Sequence, residues 1–283
     1  MDDLIVGILN AIGGSITGGA RDILELDVGA FNETAFAAME NIAQSVVKPV
    51  SAVILAIMLV VELARVSSHI ENDNQMGVKL IAGTMFKFVL LIVAVQHAPE
   101  ILGAMNEIAS TIIDGIAGVT DEATDEGTNL GDSMKEDIEG ADVIDKVGFF
   151  ILVLLPFMVA SLGSLIALVV AMLRFVELYL LSAFATLPVA FMANPETKSV
   201  AVGYLRHYAA AALHGATLML ALYFYSVLTS FAGNQGWGIS APGEDQALSG
   251  WAVANFGPMF LAGVLLIALV LGSNRMAKAL VGL

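Results

Sequence analysis

Cysteine is absent from the 283 residues. Its absence removes disulfide frameworks, thiolate zinc sites, iron–sulfur clusters and cysteine nucleophiles. Charge is also scarce, at 14% of residues, against about 25% in soluble globular proteins. Positive charge is scarcer still: 12 Lys and Arg stand against 27 Asp and Glu, a net charge of −15. No basic face is therefore available for binding nucleic acid. The chain contains no P-loop, no His pair at zinc-ligand spacing and no G-x-S-x-G, so no enzyme is expected. Met1-Asp2-Asp3 is acidic where a secretory signal begins basic, and no cleavable signal peptide is expected.

Apolar residues fill the space: 58% of the chain is hydrophobic and the mean hydropathy is +0.83. This is the composition of an integral membrane protein. A hydrocarbon core of about 30 Å takes roughly 20 largely apolar helical residues. Phe149–Leu173, Tyr208–Phe231 and Trp251–Gly272 carry no formal charge, and Gly77–Pro99 holds only Lys79 and Lys87. A fifth stretch, Ala43–Ala64, has Lys48 and Glu62 near its ends, and Lys48 reaches the headgroups by snorkelling. The expected fold is all-α, a polytopic membrane protein with five transmembrane helices. Phe175–Ala193 follows Arg174, contains Glu177 and Pro188, and is short for a span. It is expected to be re-entrant or interfacial.

Basic residues set orientation, because Lys and Arg accumulate on the cytoplasmic side. With five spans and the N-terminus outside, Arg65, Lys79, Arg174, Lys198, Arg206, Arg275 and Lys278 fall inside. Arg21, Lys48, Lys135 and Lys146 fall outside. The expected topology is therefore N-out and C-in, multi-pass in the cytoplasmic membrane. Four regions follow: an extracytoplasmic amphipathic segment (1–42), the first two spans (43–99), an acidic extracytoplasmic helix and loop (100–147), and spans three to five with the re-entrant segment 175–193 (148–283).

Leu4, Ile5, Ile8, Leu9 and Ile12 recur at helical spacing. They read either as a helix anchored on the outer membrane surface or as the lining of an outer mouth. Ile101, Met105, Ile108, Ile112 and Ile116 repeat likewise, and Glu100, Glu107, Asp114 and Asp121 recur every seven residues along one face. These four acids are candidates for an outer mouth. From Asp121 to Asp145 ten acids appear with no evident apolar period. That reads as a solvated, mobile loop. The acids at 121, 122, 125 and 126 suggest calcium, but EF-hand spacing is missing.

Ionisable groups within spans are the default functional candidates. Lys87 either faces a pore or a partner subunit, or snorkels to the headgroups. His214 reads as a helix–helix hydrogen bond more readily than as a proton relay, since no carboxylate accompanies it in its span. Ala209 to Ala212 with Gly215 form a small-residue face for close helix contact or a pore lining. Lys87, His214, Gly215 and Ala211 are thus the candidate pore or subunit contacts. Glu62 with Arg65, and Arg174 with Glu177, share i,i+3 spacing and read as cytoplasmic boundary pairs.

Lys48-Pro49-Val50 and Val61-Glu62-Leu63-Ala64-Arg65 open and close the first span. A longer run, Arg174-Phe175-Val176-Glu177-Leu178-Tyr179-Leu180-Leu181-Ser182-Ala183, precedes Leu187-Pro188-Val189-Ala190 and Tyr204-Leu205-Arg206-His207-Tyr208. Together they resemble the polytopic membrane subunit of type IV secretion systems, in particular TrbL-like conjugal transfer proteins of Gram-positive bacteria. The resemblance covers roughly residues 36–275. The chain departs from it at Ala185-Thr186-Leu187-Pro188, with one proline where relatives often carry two.

The resemblance implies a channel or scaffold subunit of a conjugation machine, moving DNA–protein complexes or proteins across the cytoplasmic membrane. It implies a homo-oligomeric ring, a pentamer foremost, beside a secretion ATPase and small membrane subunits. Nucleic acid then enters only as translocated cargo. Membrane lipids are further partners, and no cofactor is expected, a bound phospholipid excepted. Two other classes compete: a stand-alone pore-forming or holin-like channel, and a small-solute transporter. No internal repeat is evident and the span number is odd, which disfavours a transporter.

Overall fold

The computed structural model describes residues 1–12, 17–68, 74–124, 130–229, 239 and 247–283, excepting the side chains of 74–77 and 120–124. Among these the chain is helical throughout, without strands. In order the helices are α1 (Asp2–Ile12), α2 (Gly18–Leu24), α3 (Val28–Phe31), α4 (Glu33–Ile42), α5 (Lys48–Ser68), α6 (Asn74–Gln96) and α7 (Ala98–Thr124). There follow α8 (Leu130–Ser133), α9 (Lys135–Gly140), α10 (Val143–Ala183), α11 (Thr186–Ala190), α12 (Lys198–Thr229) and α13 (Leu248–Leu280). Five stretches are long and apolar enough to cross a bilayer: Glu33–Ser68, Val78–Gln96, Val143–Ala183, Lys198–Thr229 and Leu248–Leu280. The chain is a multi-pass membrane protein.

The first of these is longer than its apolar run because α4 and α5 join through a π turn, Ala43–Val47. There the Lys48 N–H reaches back five residues to the Ala43 carbonyl. Pro49 follows at once, and its ring needs room at the preceding turn. A widened turn gives that room without ending the helix.

Segment 175–193 is not one element. Its first half continues α10, which runs unbroken through Arg174 and Glu177 to Ala183. No glycine or proline intervenes between Gly163 and Ala183 to stop it. The helix tightens where Phe184 and Ala185 donate three residues back, to Leu181 and Ser182. The short α11 then starts. Pro188 sits in its first turn, where a missing N–H costs nothing. A 3₁₀ turn, Phe191–Ala193, ends the segment.

The chain forms two compact units interleaved in sequence. Unit 1 takes Met1–Leu26, Ser110–Arg174 and Leu213–Ala277. Its α10 and α13 approach with small residues between them: a Cβ on Gly263 would stand 2.9 Å from the Ala160 backbone nitrogen, and one on Gly163 2.9 Å from Leu266 Cδ2. Ala160, Ala167 and Ala171 of α10 are fully buried on this face. Where no hydrophobic effect separates helices from lipid tails, such close packing is a main source of cohesion.

Helix α1 also belongs to unit 1, and its apolar stripe is covered by protein. Ile5, Ile8, Leu9 and Ile12 join one core with Leu130, Met134 and Ile138, and with Phe149 and Trp251. This corrects the expectation of a lipid-surface anchor. From residue 130 onward it also corrects the solvated loop, since Leu130, Met134 and Ile138 recur every fourth residue from α8 into α9 and are buried; residues 125–129 and the side chains of 121–124 lie outside the described residues. Asn10 Oδ1 accepts from the Gly131 and Asp132 backbone N–H groups at 2.7 and 3.2 Å. Gly131 is obligatory there: a Cβ would stand 2.2 Å from the Val6 carbonyl oxygen. Lys146 Nζ reaches Asp2 at 2.9 Å. Asp145 accepts from the first N–H groups of α13, Leu248 at 2.8 Å and Ser249 at 3.1 Å. One carboxylate thus serves donors that the helix leaves without intrahelical partners.

Unit 2 takes Asp27–Ala109, Phe175–Ala212 and Lys278–Leu283. Phe31 stacks on Phe175 with ring centroids 4.4 Å apart. The Tyr179 hydroxyl donates to the Val28 carbonyl at 2.6 Å and accepts from Asn32 N–H at 3.2 Å. Asn32 in turn caps α4 by accepting from Ala35 N–H at 2.9 Å. Within this unit α11 lies against α5 and α6.

Candidate functional site

Unit 2 gathers four charged side chains beside α11. Glu62 on α5 is largely buried, its side chain 13% exposed. A carboxylate there needs cations, because burial penalises the charged form. Lys87 Nζ on α6 lies 3.9 Å from Glu62 Oε1, and Arg65 Nη1, one turn on from Glu62, lies 3.6 Å from Oε2. Glu62 Oε2 is buried and accepts no hydrogen bond among the described residues. Arg65 Nη2 extends to Glu196 Oε1 at 2.6 Å.

These groups hold the segment around α11. Lys87 Nζ donates to the Ala193 carbonyl at 2.7 Å. That carbonyl ends the 3₁₀ turn, where a cation satisfies both an orphan acceptor and the helix dipole. At the other end of α11, Ser51 and Thr186 share a buried hydrogen bond of 2.9 Å. Thr186, Pro188, Val189 and Ala190 are buried between. The arrangement is a clamp: a neutral pair at one end, a charged network at the other, and a proline-bearing turn held against two spanning helices.

Other singled-out residues lie elsewhere in unit 2. Glu177 Oε1 stands 3.4 Å from His207 Nε2. Ala211 is buried on α12. Asn106 donates to the Tyr208 hydroxyl at 2.6 Å. Glu100 lies 3.4 Å from His97, and both it and Glu107 are exposed on α7.

Unit 1 holds Arg174, His214, Gly215 and Asp114. Arg174 is 3% exposed, and its guanidinium rests against Gly215, where a Cβ would stand 2.3 Å from Cζ and Nη1. His214 Nε2 and Ser273 Oγ lie 3.0 Å apart, joining α12 to α13. Thr217 donates to the Ser273 carbonyl at 3.1 Å beside them. Asp114 is exposed on α7. The side chain of Asp121 lies outside the described residues.

The family model of the TrbL/VirB6 plasmid conjugal transfer like protein matches residues 26–186, more than half of the chain. The chain belongs to the TrbL/VirB6 family. As a member it is a component of a conjugal transfer machine. The matched stretch includes Glu62, Arg65, Lys87, Arg174 and Glu177, and ends at Thr186, the first residue of α11. No curated protein and no solved structure matches the chain.

One feature of the clamp and one of unit 1 carry little sequence signal. The Ala193 carbonyl is a backbone group, and its pairing with Lys87 follows only from the fold of 184–193. The stripe Ala160, Gly163, Ala167 and Ala171 on α10 is written at 3- and 4-residue spacing, but it lies within a uniformly apolar run. Among the described residues no three His, Asp or Glu side chains converge as metal ligands.

Proposed function

We propose that this TrbL/VirB6 family member is a channel or scaffold subunit of a type IV secretion machine in the cytoplasmic membrane. It works as a homo-oligomeric ring, a pentamer, beside a secretion ATPase and small membrane subunits, and DNA–protein complexes or proteins are its cargo. The family match over residues 26–186 carries this reading. Five helices long and apolar enough to span support it, because so few helices in one protomer cannot ring a wide conduit, which leaves that to several copies in closed cyclic symmetry.

The topology is N-out and C-in. The charged end of the clamp, with Arg65, Lys198 and Arg206, is cytoplasmic, while the acids of α7, Glu100, Glu107, Asp114 and Asp121, surround an outer mouth. The basic-residue asymmetry supports this orientation. The protein has no catalytic role.

Deletion of the gene and complementation in a mating assay test the role, and native mass measurement of the full chain in mild detergent tests the ring. Loss of transfer on deletion, with a closed multiple of the 29.6 kDa protomer, is the expected result. A strictly monomeric, transfer-competent protein overturns the ring, and normal transfer after deletion overturns the role. A reporter fused after Leu283 should be cytoplasmic; an extracytoplasmic one overturns the orientation.

A further inference from the structure

Helices α5 and α6 run antiparallel and leave an apolar groove of about 320 Å³ between them. Its floor is made by Leu55, Phe88 and Val95, which are at most 6% exposed. On α5 the groove is lined from Lys48 to Leu59. The eleven steps of 1.5 Å from Lys48 to Leu59 span about 16 Å along the helix. That is about half of the ~30 Å hydrocarbon core, the depth of one leaflet.

The two ends of the groove differ. Apolar side chains line it throughout except at one end, where Lys48 and Gln96 stand together. Among the described residues no carboxylate or carbonyl pairs with the Lys48 ammonium. It is a cation at the head of an apolar slot one leaflet deep. A lone cation next to a hydrocarbon-filled groove is complementary to a molecule with an anionic head and a long alkyl tail.

We propose that this groove is a binding site for an anionic phospholipid, whose phosphate is held by Lys48 and Gln96 and whose acyl chain lies between α5 and α6. A second copy of the chain is a poorer occupant. An inserted helix about 10 Å across does not fit a slot of this volume. The proposal stands apart from the transfer role, since it concerns retention of lipid by the protein whatever the protein conveys.

The full chain, purified in mild detergent and stripped of lipid, is titrated with phosphatidylglycerol and, separately, with phosphatidylcholine. Bound lipid is counted by native mass spectrometry. Phosphatidylglycerol is expected to be retained preferentially. Lys48→Gln should lower its retention about tenfold, and Lys48→Arg should preserve it. Ala52→Trp or Ala56→Trp, which fill the slot, should lower retention of both lipids. Circular dichroism and elution volume identify variants that fail to fold, and Lys48→Arg with Ala56→Leu supply milder versions. Unchanged phosphatidylglycerol retention in folded Lys48→Gln and slot-filled variants overturns the proposal. So does a slot-filled variant that alters subunit number while retaining lipid, because the occupant would then be another copy.

Discussion

The guanidinium of Arg174 occupies the space that Gly215 leaves by having no side chain, with a Cβ there only 2.3 Å from Cζ. A charged group 3% exposed in unit 1 is set in place by an absence on α12. The small residue at 215 thus has a role inside one protomer, accommodating a cation, beside any role in contacts between copies.

Gly215→Ala should therefore destabilise the protein by about 1–3 kcal/mol, since a buried cation must move. Arg174→Met relieves the crowding, so adding Gly215→Ala to Arg174→Met should cost much less than adding it to the parent, a coupling of at least ~1 kcal/mol. Thermal unfolding of the four proteins in detergent measures the cycle. Additive effects would show that the two residues do not share the space.

Gly131→Ala should release α1. The clash is with backbone, the Val6 carbonyl at 2.2 Å, so no side-chain rotation relieves it. Asn10→Ala removes only an acceptor for two N–H groups and should cost about 1 kcal/mol. Hydrogen exchange over residues 2–12 should rise strongly in the first variant and modestly in the second. Equal protection in both would refute the docking.

At the clamp, the two ends of the charged network should differ in weight. Lys87→Met leaves the Ala193 carbonyl without its donor and Glu62 with one cation fewer; the Lys87 side chain is 42% exposed, so the cost is about 1–2 kcal/mol. Glu196→Gln breaks a pair whose carboxylate side chain is 73% exposed, so its cost stays below ~1 kcal/mol and shrinks with salt. Denaturation midpoints at low and high ionic strength check both. A larger effect from Glu196→Gln would invert the assignment.

Asp145→Ala should loosen the first turn of α13, which loses an acceptor at 2.8 Å and another at 3.1 Å. The expected cost is about 1 kcal/mol. Asp145→Asn keeps one acceptor oxygen and should recover part of it. Exchange rates at Leu248 and Ser249 report the change, and unaltered rates would exclude the cap.

Much of this architecture was legible in the residues. The uncharged run Phe149–Leu173 needed only bilayer thickness to become a span, and the i,i+3 spacing of Glu62 and Arg65 foretold their proximity. Periodicity gave way where composition hid it. Leu130, Met134 and Ile138 sit among ten acids, and their four-residue spacing is visible only once α1 supplies the face they cover. Arg174 reads as a boundary, yet α10 continues to Ala183 because a buried space beside Gly215 lets the helix carry that charge without stopping. Backbone acceptors such as the Ala193 carbonyl have no sequence signature at all.

The π turn at Ala43–Val47 is, in register terms, an α-helix carrying one residue too many. Each α-helical residue advances the wheel by about 100°, so the extra residue re-phases everything before it against everything after. Phe36, whose ring lies 5.7 Å from that of Tyr179, keeps its place only by that offset. Shortening the segment by a single residue would restore an unbroken α-helix into α5 while swinging Phe36 about a quarter turn away. The length of the first span is then fixed by register at this short stretch, where a one-residue deletion changes no charge and removes little apolar surface.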